Sequence, residues 1–288
     1  MRSEFLKKVS VLVAAGAMAA CGGGDSGGGD PGGDAGGGEA PAAAQVDPAT
    51  VGTISGTINF AGDSPAPTAI DMSAEADCAA GYGPDGPMSN NVIAANGRLA
   101  NVFVHLTGVS GGPAPSGSVQ LDQENCRYMP HVLGVQVGQN IEITNSDDLL
   151  HNINASPTEN RGFNISQPRA GITSNQSFPL AEVMVPVRCD VHGWMQAYIG
   201  VVDHPYFGVS GPDGSFTIPN VPAGTYTAEA WHEAYGAMSG SVTVTAGGTA
   251  TLSFDYSSDM AGAHVPLGEP LVIRHGEHGI EVHRGAQD

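Results

Sequence analysis

Short runs in which apolar and polar residues alternate recur along most of this chain, and Gly, Pro, Asn or Asp interrupts nearly every one. Thr53-Ile-Ser-Gly-Thr-Ile-Asn-Phe60, Val102-Phe-Val-His-Leu106, Val135 to Thr144 and Ser241-Val-Thr-Val-Thr245 are examples. A period of two puts alternate side chains on opposite faces of a strand, so each run predicts a strand with one buried face. No segment carries a sustained period of 3.6; Ser73 to Ala80 could form a helical turn or two. The pattern predicts an all-β protein made of sandwiches, and about 200 structured residues leave room for two of them.

Within these strands lies one concentration of metal-binding side chains. Cys189-Asp-Val-His192-Gly-Trp-Met195 puts a thiol, an imidazole and a thioether within seven residues, and His151 stands apart in Asn145-Ser-Asp-Asp-Leu-Leu-His151-Asn152. Soft sulfur donors suit Cu(I), imidazole suits both copper oxidation states, and two His, one Cys and one Met are the donor set of a mononuclear type 1 copper site. Taken singly, Cys189 and Met195 read as core residues and His151 as a turn residue, since free Cys and Met are often buried. Their joint occurrence favours the metal, and the thioether argues against zinc.

The sequence around these ligands resembles the cupredoxins, and the C-x-x-H-x-x-M spacing is similar to the amicyanin type. Val135-Gln-Val-Gly-Gln-Asn-Ile-Glu-Ile-Thr-Asn145 would be the strand pair before the isolated ligand His151. Val183-Met-Val-Pro-Val-Arg188 would run into the ligand loop and Gln196-Ala-Tyr-Ile-Gly-Val-Val202 out of it. The resemblance covers residues 118–202. It implies one copper per chain held by His151, Cys189, His192 and Met195. It further implies that Asn152 ties the two ligand loops together, and that His192 presents an exposed edge for electrons, with Trp194 in a docking patch beside it.

Residues 203–256 resemble the carboxypeptidase regulatory-like, transthyretin-like sandwich. The resemblance rests on Gly211-Pro-Asp-Gly-Ser-Phe216-Thr-Ile-Pro-Asn-Val-Pro-Ala-Gly224-Thr-Tyr226, where Asp213-Gly214 makes a tight turn and Phe216 and Ile218 share a face. That stretch is short for a whole sandwich. Residues 51–117 would supply its opening strands, with the cupredoxin inserted between the halves; the alternative gives them to an enlarged cupredoxin. Trp231-His232-Glu233 reads as strand alternation with Trp inward and the polar pair outward, and His131 as a structural histidine or a border of the site. The tail 257–288, with His264, His275, His278 and His283, reads as solvated or as an edge hairpin, or as an extra metal-binding segment.

The N-terminus changes the compartment. Arg2, Lys7 and Lys8 precede an apolar stretch, Val9 to Ala20, too short to span a bilayer, and Met18-Ala-Ala-Cys21 looks like a lipoprotein cleavage box. Residues 1–20 therefore read as a signal peptide and Cys21 as the lipidated first residue of the mature chain. Gly22 in second place favours an outer-membrane anchor, facing the periplasm or the cell surface. Residues 21–50 read as a tether: 11 of the 17 residues from Gly22 to Gly38 are glycine, so no core can form. About 30 such residues reach about 30 Å. Of the four cysteines, this leaves Cys78 and Cys126, which an exported compartment permits to pair; a loop that long would add roughly 4 kcal/mol.

Charge narrows the partners. The chain carries −19, and without residues 1–20 it holds seven basic residues, all Arg, against 28 acidic ones. Nucleic acid is disfavoured as a partner, and a basic redox protein such as a cytochrome c is favoured by steering. No His-x-His occurs, so the extra clusters of multicopper enzymes are missing from the sequence. The expectation is an electron carrier or copper-binding protein of the cell envelope, with copper storage or delivery as the second possibility, rather than a catalyst.

Overall fold

A computed structural model describes residues 47, 49–84, 86–89 and 91–260, together with the backbone of Val272–Gly276 and Gly279–His283. Residues 1–20, read as a signal peptide, Cys21, nearly all of the segment read as a tether, His264, and the side chains of His275, His278 and His283 lie outside the described residues. No helix among the described residues is long and apolar enough to cross a membrane.

The protein is all-β, a stack of two sandwiches. The chain begins with β1 (Val51–Ala61), a helical turn α1 (Ala76–Ala80), the short β2 (Ala94–Ala95) and β3 (Arg98–Leu99), then β4 (Phe103–Thr107). Nine strands follow: β5 (Val119–Gln123), β6 (Tyr128–Met129), β7 (Val132–Gln136), β8 (Ile141–Asn145), β9 (His151–Ala155), β10 (Phe163–Gln167), β11 (Ile172–Gln176), β12 (Glu182–Arg188) and β13 (Gln196–Val202). The described core closes with β14 (Phe207–Val209), β15 (Ser215–Pro222), β16 (Gly224–His232), β17 (Gly236–Val244) and β18 (Thr249–Ser257), and β19 (Val272–Gly276) and β20 (Gly279–His283) form a separate hairpin.

Strand pairing assigns the early strands. β1 runs parallel to β18 along one edge and pairs with β15 and β3 along the other, while β4 lies between β14 and β16, with β17 beyond. Both opening strands thus belong with 207–257, and β5 to β13 leave and return between β4 and β14. Those nine strands make two further sheets, ordered β11-β8-β5-β6 and β10-β9-β12-β13-β7. The run Val135 to Asn145, read as a strand pair, splits: β7 joins one sheet beside β13 and β8 the other beside β5 and β11.

Apolar alternation dictates three buried layers. Ile54, Ile58, Phe216, Ile218, Val104, Leu106 and Phe254 fill the first sandwich. Leu121, Val135, Ile143, Ile153, Val187 and Ile199 fill the second. Between the two, Phe103, Val132, Tyr198 and Val202 form a third layer, with Phe207 and Trp231 packed against it. β13 is consequently buried on both faces: Ala197, Ile199 and Val201 turn to the second core, Tyr198 and Val202 to the interface. A cross-strand glycine pair makes room there. Gly134 sits opposite Gly200, and a Cβ on Gly200 would lie 2.5 Å from the Phe103 ring, while one on Gly134 would lie 2.5 Å from Phe207.

The same layering corrects the reading of Trp231-His232-Glu233. Trp231 is the half-exposed member, and His232 and Glu233 are buried. The register of β16 is the reason: His232 shares the core-facing side with Ala228 and Ala230 and packs by Tyr235 and Tyr256, while Trp231 faces the layer between the sandwiches. His131 is the partner of Glu233: its Nε2 meets a Glu233 carboxylate oxygen, and its Nδ1 lies 3.0 Å from the carbonyl of Gln196. Asn91 Nδ2 donates to the other Glu233 oxygen at 3.3 Å. His131 thus pins the first residue of β13 to the neighbouring sandwich.

Candidate metal centre

Four strand ends converge on the site. Asn145 ends β8 and shapes the loop that follows: its Nδ2 donates to the carbonyls of Leu149 and Gln167, and its Oδ1 accepts from the Asp147 N–H. That loop delivers His151 as the first residue of β9. Cys189 directly follows β12 and Met195 directly precedes β13. The tight turn between them is closed by Cys189 N–H to Met195 O (3.1 Å) and Met195 N–H to His192 O (2.9 Å).

The ring nitrogens of His151 and His192 and the Cys189 sulfur lie within 4.8 Å of one another, and all three residues are buried. The two Nδ1 atoms are 2.9 Å apart, and His192 Nδ1 is 3.9 Å from Cys189 Sγ. Met195 is buried in the same core, 1% exposed. Asn152, next to His151, accepts the Asp190 N–H at 2.7 Å and faces Cys189 Sγ at 3.3 Å, both through Oδ1. Its backbone carbonyl accepts from the buried Tyr128 hydroxyl at 2.5 Å. Asp190 gathers the amides of Asn152, Asn154 and Asn164 and pairs with Arg188, so the ligand loop is laced to β9 and β10.

The electrostatics fit a metal. Burial alone would push the Cys189 thiol up, but hydrogen bonding from His151 and His192 outweighs it and holds the thiol down at about 6. Burial alone would lower His151; the Asp147 carboxylate and the Cys189 sulfur beside it raise it to about 9 instead. Thiolate and imidazolium stabilise each other, and a cation bound between them would take the place of that proton. A buried set of two imidazoles, a thiolate and a thioether has the chemistry of a type 1 copper site and lacks the hard oxygen donors of Mg²⁺ or Ca²⁺.

Two expectations about the surface are corrected. His192 is 2% exposed, not an open edge. The segment after β1 crosses from the first sandwich and covers it: Cys78 Sγ lies 3.9 Å and Glu75 Oε1 4.0 Å from His192 Nε2. Trp194 is half-buried rather than a free patch. Its indole N–H donates to the Cys126 carbonyl at 3.1 Å, and its ring lies 5.2 Å from the His192 ring. Cys78 and Cys126 are joined as a disulfide.

Sequence reasoning missed Asp147. Its Oδ2 lies 2.9 Å from His151 Nε2, and its carboxylate also accepts the N–H groups of Asn125 and Cys126. The signal was an acid four residues before a candidate ligand, one of two adjacent aspartates, and nothing in the pattern singled out the first. Glu75 and the cover over His192 left no sequence signal, because contacts across such separations follow from the tertiary path.

The fold and site define an all-β protein with a cupredoxin-like portion, holding a buried His-Cys-His-Met cluster, and a second β-sandwich. Residues 180–252 match the family model described as polysaccharide lyase family 4, domain II. Among solved structures, a copper-containing nitrite reductase from Thermus scotoductus is 17% identical with a TM-score of 0.28; the match covers 33% of this chain and 25% of that one. A purple cupredoxin from Nitrosopumilus maritimus is 21% identical (TM-score 0.25), over 29% of this chain and 98% of its own. A reduced mutant amicyanin is 19% identical (TM-score 0.27), over 31% and 85%. Overlaps this partial decide nothing about function, and the fold is defined by the strand pairing itself. No curated protein matches the chain in sequence.

Proposed function

We propose that this protein binds one copper ion through His151, Cys189, His192 and Met195 and passes single electrons between redox partners of the cell envelope. The observation that carries the reading is the convergence of two ring nitrogens and one sulfur in a buried cluster. Copper held there would supply a one-electron couple between Cu(II) and Cu(I). The chain's own part is to keep the donors fixed. Asn145 holds the loop before His151, Asn152 and Asp190 tie that strand to the Cys189 turn, and Asp147 orients the His151 ring. Donors held this way need little rearrangement when the charge changes. With His192 covered, the half-buried Trp194 ring beside it is the route by which electrons reach the surface. The excess of acidic residues supports a basic partner such as a cytochrome c.

The remaining parts of the reading rest on sequence. Cys21 carries the lipid that anchors the chain at the outer membrane, facing the periplasm or the cell surface. The first sandwich is a carboxypeptidase regulatory-like module that serves as scaffold. Copper storage or delivery is the second reading, and burial of His192 favours it, because a covered ligand edge slows electron exchange and protects a stored ion.

One experiment separates the two. Copper-loaded wild type should show an intense visible thiolate-to-copper band that Cys189→Ser abolishes. Reduction by a basic cytochrome should slow as salt rises. A colourless loaded protein rules out the site. A coloured protein whose electron exchange is slow and indifferent to salt, yet whose copper passes to an apo-acceptor, rules out the carrier.

A further inference from the structure

The disulfide touches the outer side of the copper ligands. The Nδ1 atoms of His151 and His192 face each other beside Cys189, so the other nitrogens point away from that centre. Cys78 Sγ lies 3.9 Å from His192 Nε2. Its bonded partner Cys126 Sγ, a carboxylate oxygen of Asp147 and a ring nitrogen of His151 lie within 4.8 Å of one another, a spacing that suits a shared metal ion. Cys126 is also tied to the ligand loops through its backbone: its N–H donates to Asp147 and its carbonyl accepts from Trp194. Two sulfurs, two buried imidazoles and a half-buried carboxylate therefore lie on one side of the ligand cluster.

We propose that reduction of Cys78–Cys126 opens a second, thiolate-rich Cu(I) site across the His192 ring from the first, with Cys78 and Cys126 as its sulfur ligands and His192 Nε2 beside them. The inference rests on the copper reading of the His151, Cys189, His192 and Met195 cluster. The chemistry balances with an external dithiol of the envelope as reductant. That dithiol gives up two electrons and two protons and becomes a disulfide; the Cys78–Cys126 bond breaks and yields two thiols. Cu(I) then displaces the two thiol protons. Two thiolates with a nearby imidazole are soft donors that suit Cu(I) and suit Mg²⁺ or Ca²⁺ poorly.

Both sulfurs are buried, so the reductant has to reach them through movement of the cover. Among the described residues between β1 and β2, the regular structure is the five-residue α1, which has no side-chain cap at its N-terminus, and one isolated bridge, Ala69 with Met88. Local opening of this short helical turn, which lifts Cys78 from the ligand loops, is the movement that admits the reductant. A second ion held across His192 would turn a closed centre into a two-station site, which gives the delivery reading a route for copper to enter and leave.

The test is anaerobic Cu(I) titration of the full chain against a chromogenic Cu(I) chelator. It compares oxidised protein with protein treated with a phosphine reductant and then desalted. The oxidised protein should take one tightly held copper and the reduced protein two, with two additional thiols titratable before metal is added. X-ray absorption of the doubly loaded form should show a higher mean number of sulfur neighbours per copper. Cys78→Ser with Cys126→Ser should hold one copper under either condition. Far-UV circular dichroism should stay unchanged on reduction. The inference is overturned if the disulfide resists reduction without denaturant, if the reduced chain unfolds, if uptake stays at one, or if the double variant still takes two. Failure of the oxidised arm to bind one copper would instead defeat the underlying copper reading.

Discussion

Replacing Asp147 with Asn tests whether His151 is held by a charge. The Asp147 carboxylate meets His151 Nε2 at 2.9 Å and also accepts two backbone N–H groups, from Asn125 and Cys126, at 2.8 and 2.7 Å. Asn is nearly isosteric, so the loop keeps its shape; what goes is the negative charge, together with one acceptor. Charge-assisted hydrogen bonds are about twice as strong as neutral ones, and loss of a carboxylate that orients a metal-bound His costs about 10- to 100-fold in metal affinity. That corresponds to about 1.4 to 2.8 kcal/mol. The loss should fall mainly on Cu(II), because a carboxylate behind the imidazole makes it a stronger donor and favours the higher charge. If Cu(II) affinity drops about tenfold more than Cu(I) affinity, the reduction potential rises by about 59 mV. Competition titrations for each oxidation state and voltammetry of the loaded protein measure both quantities. Unchanged affinity and unchanged potential would show that Asp147 only caps the 125–126 turn, and the account of His151 would be wrong.

Three other outcomes follow from the same contacts. Gly200→Ala puts a Cβ 2.5 Å from the Phe103 ring and should cost about 1 to 3 kcal/mol in urea denaturation; an unchanged midpoint would mean that the two sandwiches are not packed as described. Burial holds His232 down at about 4, against an ordinary value of 6.5, so the folded state keeps it neutral while the unfolded chain protonates. Stability is then full above pH 6.5 and falls by about 2 to 3 kcal/mol as pH drops towards 4; His232→Asn should remove that part of the acid sensitivity, and identical pH profiles would refute it. Trp194→Ala removes a ring packed beside His192 and a hydrogen bond to Cys126, so it should shift the visible spectrum of the loaded protein as well as slow electron exchange, and a spectrum identical to wild type would place Trp194 outside the site.

The ligand cluster was legible because copper chemistry restricts donor types and because three of the donors are local. Cys189, His192 and Met195 lie on one turn, so their convergence is a short-range property of the chain. Asn152 was legible through its place beside His151. What could not be read was anything set by burial on two sides. Alternation in Trp231-His232-Glu233 suggests one wet face, and that inference fails when a second sheet covers it. It is Trp231 that faces the covered layer with Phe103, while His232 shares the core-facing side of its strand with Ala228 and Ala230, beside Tyr235 and Tyr256, and Glu233 is met by His131, far away in sequence. The cover over His192 is the same kind of failure. Met72 and Cys78 look like loop residues of the opening segment, and they pack into the core of the other sandwich.

The stacking bears on the metal centre because β13 is shared. Met195 immediately precedes this strand, Ala197, Ile199 and Val201 are locked into the ligand-bearing core, and Tyr198 and Val202 are locked into the interface. A strand in a lone sandwich has a wet face along which it can shift; one packed on both faces can move only by disturbing two cores, and close-packed interiors yield little. His131 adds a polar pin, holding the Gln196 carbonyl on one side and Glu233 of the first sandwich on the other. The outgoing half of the ligand loop is therefore anchored to a module that contributes no ligand. This gives the first sandwich a part in positioning Met195, the residue just before β13, in the candidate ligand turn. Its other contribution is the segment that leaves β1 and closes over His192, tied to the ligand-bearing sandwich by the Cys78–Cys126 disulfide. The first sandwich thus reaches the ligand turn twice, through the layer packed on β13 and through the disulfide-tied segment over His192.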